Sequence, residues 1–246
     1  MKVFVTGAGG RTGKLVLERL RDQPGIEVKG LVRRQEQQQE LGESAVVGDV
    51  LEPAGWEGEL AGSDALVILT SAVTKMRPTA NPDDPPEWYF EPGQMPEQVD
   101  WEGQRTQIDL AKKHGVKQVV LISSMGTTKP AHPLNRIGGG NILFWKNMAA
   151  EYLVNSGVAY TIIHPGGLID QPGGRRQLLV GKRDSFMDVP GGPRTVPRAD
   201  VAEAVVQALL LPDALNKSFD LVSRPEGEGE PTRDFAALFD QTTAGL

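Results

Sequence analysis

Short apolar runs alternate with longer stretches of helical spacing over the first two thirds of the chain. Val3-Phe4-Val5, Val28 to Val32, Ala45-Val46-Val47, Ala65 to Leu69, Val119 to Ile122 and Tyr160 to Ile163 read as six strands in that order. Continuous apolar runs, rather than strict alternation, fit strands covered on both faces. Leu15, Leu17 and Leu20 among Lys14, Glu18, Arg19 and Arg21 predict a helix after the first strand. Two more fall at about 99–114, with Trp101, Ile108 and Ala111, and at about 142–156, with Ile142, Trp145, Ala149, Tyr152 and Leu153. Asn141 is the expected N-cap of the latter and Gly157 its stop. A further helix at about 199–210 holds Val201, Ala202, Val205, Val206 and Leu209, and Pro212 ends it. Strands alternating with helices imply a parallel sheet.

Two stretches break the alternation. Residues 72–98 are proline-rich and contain Trp88-Tyr89-Phe90; residues 125–140 hold Pro130, Pro133 and Gly138-Gly139-Gly140. Both follow the carboxyl ends of predicted strands, the edge at which open parallel sheets bind ligands. Loops of this length there are expected to form lids or pocket walls. The polar run Gln35 to Glu40 reads as a solvated helix face, and Pro225 to Pro231 as a surface loop.

Composition narrows the chemistry. The 246 residues are 39% hydrophobic and 24% charged, as in an ordinary globular protein. Lys plus Arg is 26 against 32 Asp plus Glu, a net charge of −6, so nucleic-acid backbone binding is not expected. With no cysteine there is no disulfide, thiolate metal site or cysteine nucleophile. His114, His132 and His164 are too dispersed for a local metal motif, and no metal site is predicted. The longest apolar runs are too short to cross a bilayer, so no membrane partner is expected. The start, MKVFVTGAGG, lacks the apolar stretch of a secretory signal, and the cytoplasm is the expected location. The charge and apolar content suit a monomer or a homodimer.

The first predicted strand runs into Thr6-Gly7-Ala8-Gly9-Gly10-Arg11-Thr12-Gly13. The spacing G-x-G-x-x-G fails here, because its third glycine would fall on Thr12. Gly7-x-x-Gly10-x-x-Gly13 fits instead, and serves the same ends: a tight turn, close backbone approach to a pyrophosphate, and close packing of helix on sheet. Placed between strand and helix, it predicts a dinucleotide site. The second strand ends in Leu31-Val32-Arg33-Arg34, with no acidic residue for ribose hydroxyls. An arginine fork there suits the 2′-phosphate of NADP, with Arg11 a second cation, so NADP is expected over NAD. The expected fold is a single α/β domain over 1–246 with a Rossmann-type, doubly wound parallel sheet. Its core lies mainly in 1–165, with a smaller substrate-facing portion mainly in 125–140 and 166–246.

On these residues the sequence resembles the atypical short-chain dehydrogenase/reductases of the NmrA-like, NAD(P)-binding group. The resemblance is carried by Thr6 to Gly13, Val32-Arg33, Gly48-Asp49, Ser123-Ser124 and Arg198 to Ala202. Leu69 to Val73, Pro96 to Trp101, Asn141-Ile142-Leu143 and Trp145-Lys146 look like a plant and cyanobacterial subgroup of small NADP-binding proteins. The resemblance implies cofactor contacts from Gly7, Gly10, Arg11, Thr12, Gly13, Arg33, Asp49, Val50, Thr70, Ser71, Ala72, Ser123, Lys146, Pro165, Gly166 and Gly167. Asp49 would meet the adenine, Thr70 to Ala72 the nicotinamide ribose, and Pro165 to Leu168 the nicotinamide. His164-Pro165 stands where the wider family has an arginine before the proline.

Active members of the larger family use a serine, a tyrosine and a lysine, the tyrosine four residues before the lysine on one helix face. Ser124 and Lys146 match the serine and the lysine, but Ile142 stands four residues before Lys146 and cannot transfer a proton. The first reading is therefore an NADP-dependent oxidoreductase on a small-molecule substrate, with Lys146 and Ser124 as catalytic residues and Lys146, Tyr89, Lys75 or His132 as proton donor. Each donor has a plainer role open to it: ribose binding for Lys146, loop anchoring for Tyr89, solvation for Lys75, loop packing for His132. A second reading is a non-catalytic NADP(H) sensor with loop 72–98 as its switch. A third keeps the fold but discards the cofactor, the pocket serving a scaffold or nucleic-acid role. Arg198 and Asp200 are expected to form a structural pair or cap.

Overall fold

The computed structural model describes residues 1–79 and 86–246; residues 80–85, within the first long loop, lie outside the described residues. An eight-stranded sheet forms the centre. Its strands are Lys2–Thr6 (β1), Glu27–Val32 (β2), Ala45–Val47 (β3), Ala65–Ile68 (β4), Gln118–Ile122 (β5), Ala159–Pro165 (β6), Leu178–Gly181 (β7) and Lys217–Ser223 (β8). They lie side by side in the order β7-β8-β6-β5-β4-β1-β2-β3. All neighbours are parallel except β7 with β8. The order reverses between β1 and β4, where a doubly wound sheet opens its crevice.

Alternate residues of each strand feed two cores. Val3 and Val5 of β1, with Val67 and Val120, meet Val16, Leu17 and Leu20 of helix α1 (Arg11–Arg21) and Val201, Ala202, Val205 and Val206 of α6 (Arg198–Leu210). On the other face Phe4, Leu66 and Leu121 meet Ile108 and Ala111 of α4 (Gly103–Lys113) and Ala150 and Leu153 of α5 (Ile142–Asn155). Phe4 also stacks on Trp56 with ring centroids 5.9 Å apart, beside the short helix α3 (Glu57–Leu60). The polar run becomes α2 (Gln35–Leu41), mostly exposed as its composition requires.

The structure adds to the sequence expectations and corrects them in places. The predicted helix at 99–114 begins as a π-helical turn over Glu97–Glu102 before α4. Asn141 sits at the N-cap of α5, but in a left-handed conformation (φ 48°) with its side chain making no cap bond. Asn135 caps instead: its Oδ1 accepts from Leu143 N at 2.9 Å and Phe144 N at 3.4 Å. Residues beyond 166 supply β7, β8, α6 and α7 (Phe235–Asp240) as well as cleft residues. The first long loop holds a two-stranded ribbon, Lys75–Arg77 against Glu87–Tyr89. Of its aromatic trio, Phe90 is the buried anchor; a Cβ on Gly138 or Gly140 would meet its ring at 2.9 or 2.5 Å.

Candidate active site

The glycine loop joins β1 to α1 at the carboxyl edge of the sheet. Gly7 turns at φ +72°, and a Cβ there would lie 2.8 Å from the Leu69 backbone. A Cβ on Gly13 would lie 2.2 Å from the Gly7 carbonyl oxygen, so α1 can pack this close to β1 only with glycine. Gly10 is the N-cap, no side chain caps the helix, and its first turn holds no acidic residue. No acceptor among the described residues meets the N–H groups of Arg11, Thr12 and Gly13. An uncapped, cation-bearing helix start fits a pyrophosphate.

Arg33 and Asp49 follow β2 and β3. Arg33 Nη1 donates to Gln94 Oε1 at 2.6 Å, which ties this strand end to the long loop. The Asp49 carboxylate accepts from Leu51 N (2.9 Å), and its carbonyl accepts from the Trp56 indole (2.7 Å), fixing the turn. The Val50 side chain packs in the core. Arg11 is held by Asp170 at 2.7 Å, and Arg198 takes the other oxygen of the same carboxylate at 2.7 Å. Arg198 and Asp200 therefore do not pair with each other; buried Asp200 accepts from Gly174 N at 2.6 Å. Burial raises the Asp200 pKa above the ordinary carboxylate range.

Beyond the glycine loop a cleft of about 630 Å³ brings together Thr12, Thr70, Ser71, Ser123, Ser124, Lys146, Pro165, Gly166 and Gly167. Ala72 is not in its lining; its N–H donates to Asp100 Oδ2 at 2.9 Å. Asp100 lies on the π-helical turn and is fully buried, and its Oδ1 is 2.7 Å from Lys146 Nζ. This contact is an ion pair, not an aligned hydrogen bond. Lys146, 7% exposed, reaches the cleft from α5. One buried carboxylate thus joins the strand-end loop after β4, the π-turn and α5 at the one ammonium in the cleft lining.

The two serines differ. Ser124 Oγ donates to the Met125 carbonyl at 2.9 Å, whereas Ser123 Oγ is buried without a partner. His164 lies behind them. Its Nδ1 is 3.2 Å from the Ser124 carbonyl, which accepts, so Nδ1 carries the proton and Nε2 accepts from Ser218 Oγ at 2.9 Å. Burial lowers its pKa, and the ring is neutral. It braces the strand end from outside the cleft. His132 lines the cleft, with Nδ1 accepting from Leu134 N at 3.2 Å. Lys75 is paired with Glu91 at 2.7 Å, and Tyr89 lies under Arg77 at 4.8 Å; neither lines the cleft.

Asp100, Gln104 and Gln107 shape the site without being among the residues expected from the sequence. Gln104 Nε2 donates to the Thr70 carbonyl at 2.8 Å; Gln107 accepts from Thr6 Oγ1 at 2.6 Å and donates to Thr70 Oγ1 at 3.3 Å. Both glutamines are buried. Polar residues on the sheet-facing side of an otherwise amphipathic helix were the available signal.

A family model described as NAD(P)H-binding matches residues 7–212. The chain belongs to this family, the atypical, NmrA-like short-chain dehydrogenase/reductase group of NAD(P)-binding proteins. It is 47% identical over 265 residues to sanguinarine reductase of Eschscholzia californica, covering 99% of this chain and 96% of that protein. It is 52% identical over 248 residues to an uncharacterized chloroplastic protein of Arabidopsis thaliana, covering 99% and 76%. Among solved structures, a Bacillus halodurans protein described as an NAD-dependent epimerase/dehydratase superposes with a TM-score of 0.75 at 25% identity, covering 98% and 99%. The Rossmann-type fold and an NAD(P)H-binding, oxidoreductase-like family membership follow.

Proposed function

We propose that this protein is an NADP(H)-dependent reductase of a small organic substrate, with Lys146 doing the polar work usually shared with a tyrosine. The observation that carries this is the ammonium of Lys146 at the cleft wall, held by a carboxylate that is itself fully buried. A lysine tied this firmly keeps its position whatever enters the cleft. Nζ can steady the ribose hydroxyls or hold a proton beside the substrate, while Ser123 Oγ, buried and unpartnered, is a hydroxyl in the lining with its donor uncommitted. The cofactor, when bound, supplies the hydride. Arg33, at a strand end with no acidic residue, supports the 2′-phosphate assignment and hence NADP over NAD. The 47% identity to a reductase over nearly the whole of both chains supports turnover over sensing.

The test is NADPH oxidation by the purified protein against a panel of aldehydes, quinones and imines, with Lys146→Ala and Ser123→Ala beside it. The expected result is turnover of at least one class, lost about a hundredfold or more in Lys146→Ala. Unchanged turnover in that variant would remove Lys146 from the reaction.

A further inference from the structure

A second compartment of about 520 Å³ opens at the same edge of the sheet, between the end of β8 and residues 191–195. Arg194 lines both this compartment and the cleft, so the two adjoin through one side chain. Arg176 and Arg224 also stand in its wall, and Glu228 is the single carboxylate there.

Among the described residues none of these three arginines is in an ion pair. Carboxylates are taken instead by Arg11, Arg19, Arg77, Arg175 and Arg198. Arg175, next in sequence to Arg176, pairs with Glu226 at 3.5 Å, so an available acid nearby neutralises a different cation. Two of the three are nevertheless fixed. Arg194 Nη2 donates to the carbonyls of Met187 at 3.0 Å and Val189 at 3.2 Å. Arg176 Nη1 donates to the Arg224 carbonyl at 3.3 Å and its Nη2 to the Gln171 side chain, while its Nε is buried without a partner.

A guanidinium braced by neutral carbonyls keeps its full charge and gives up its rotamer freedom before any ligand arrives. Three guanidinium charges in one compartment, two of them braced in this way, repel one another, in a chain whose net charge is −6. A carboxylate or phosphate accepting from guanidinium forks relieves that repulsion with the geometry arginine is built for. The adjoining cleft meanwhile offers Met125, Leu134, Leu168 and Met187, an apolar wall.

We propose that this compartment is an anion subsite for the substrate, so that the substrate class is an amphipathic carboxylate or phosphate ester. Its apolar, reducible part lies in the cleft and its anionic group beyond Arg194. This rests on the reading of the cleft as a reductase site.

The test is calorimetric titration of protein already saturated with NADPH, so that the cofactor's own phosphate contacts are filled. The probes are 4-biphenylcarboxylate, acetate and inorganic phosphate, against wild type, Arg224→Ala and Arg176→Ala/Arg224→Ala; Arg224 is exposed, so its single variant keeps the test valid if the double variant misfolds. The biphenyl acid is expected to bind at least about tenfold more tightly than acetate, and the double variant to lose about tenfold. Arg224→Ala alone is expected to lose about threefold, with NADPH affinity unchanged in both variants. Phosphate binding as tightly as the aryl acid, with the same arginine dependence, would leave an anion site and overturn its assignment to the substrate. Aryl-acid binding that is absent, or indifferent to the arginines, would overturn the subsite. Failure of wild type to bind NADPH would overturn the underlying cofactor reading and is seen separately, in the loading step.

Discussion

The Lys146–Asp100 pair makes a stability prediction that needs no substrate. Asp100 is fully buried and its partner's side chain is 9% exposed, so each charge is compensated chiefly by the other. Removing one member of such a pair strands the survivor, at a cost of about 3–5 kcal/mol. The two single variants should not cost the same. Lys146→Met leaves a carboxylate with no access to water and one oxygen without a hydrogen-bond donor, and belongs at the upper end of that range. Asp100→Asn keeps an acceptor for the Ala72 N–H, and the stranded ammonium opens on the cleft, where water reaches it; about 1–3 kcal/mol is expected. The double variant Asp100→Asn/Lys146→Met removes both charges and should be more stable than the sum of the single losses predicts, by at least about 1 kcal/mol. Urea unfolding of the protein without added cofactor measures all three. At this size each kcal/mol lowers the melting temperature by about 2–4 °C, so thermal melts give an independent reading. Losses that add to within about 0.5 kcal/mol, or single losses below that value, would refute the pairing.

Other consequences are local. Gly13→Ala places a Cβ 2.2 Å from the Gly7 carbonyl oxygen, and is expected to weaken NADPH binding at least about tenfold by fluorescence titration. Asp220 is buried on β8 near Asp184, and desolvation together with that neighbouring carboxylate pushes its pKa to about 6. The native state then holds a proton that the unfolded chain has already lost, so Asp220 makes stability fall as pH rises from about 4 to 6. Asp220→Asn should therefore be more stable than wild type at pH 7, by about 1–3 kcal/mol, and close to it at pH 4, in unfolding curves at the two pH values. Asn135→Ala, which uncaps α5 from outside the helix, should cost about 0.5–2 kcal/mol, whereas Asn141→Gly, which keeps the left-handed backbone at that position, should show no capping loss of that kind.

The parts of this architecture legible in the sequence are those whose signal is local. Continuous apolar runs marked β1, β3, β4 and β5, since a strand buried on both faces needs no polar alternation, and shorter apolar pairs marked β2 and β6. The glycine spacing marked the tight turn from β1 into α1 because backbone contacts of 2.2 to 2.8 Å leave no alternative residue at Gly7 and Gly13. What escaped was set by partners distant in sequence. Lys217–Ser223 carries Lys, Ser and Asp among its apolar residues, and its place between β6 and β7 follows from topology. Asp100 lay within a recognised stretch, yet nothing in the residues around it points to Lys146, some forty-six positions on, or to the Ala72 amide. The cap of α5 went to Asn141 in the sequence because it is adjacent, while Asn135 reaches the helix only through the turn between them. Arg198 and Asp200 look like a pair two residues apart, but Asp170 and Gly174, brought in by the segment after β6, claim them separately.

Cofactor choice is read by a side-by-side fluorescence titration with NADPH and NADH, on wild type and Arg33→Ala. Wild type is expected to prefer NADPH by more than about tenfold, and Arg33→Ala to lose about 1.5–3 kcal/mol of NADPH affinity with little change for NADH. Equal affinity for the two cofactors, or an equal loss for both in Arg33→Ala, would contradict the 2′-phosphate assignment and with it the NADP(H) reductase proposed for this fold.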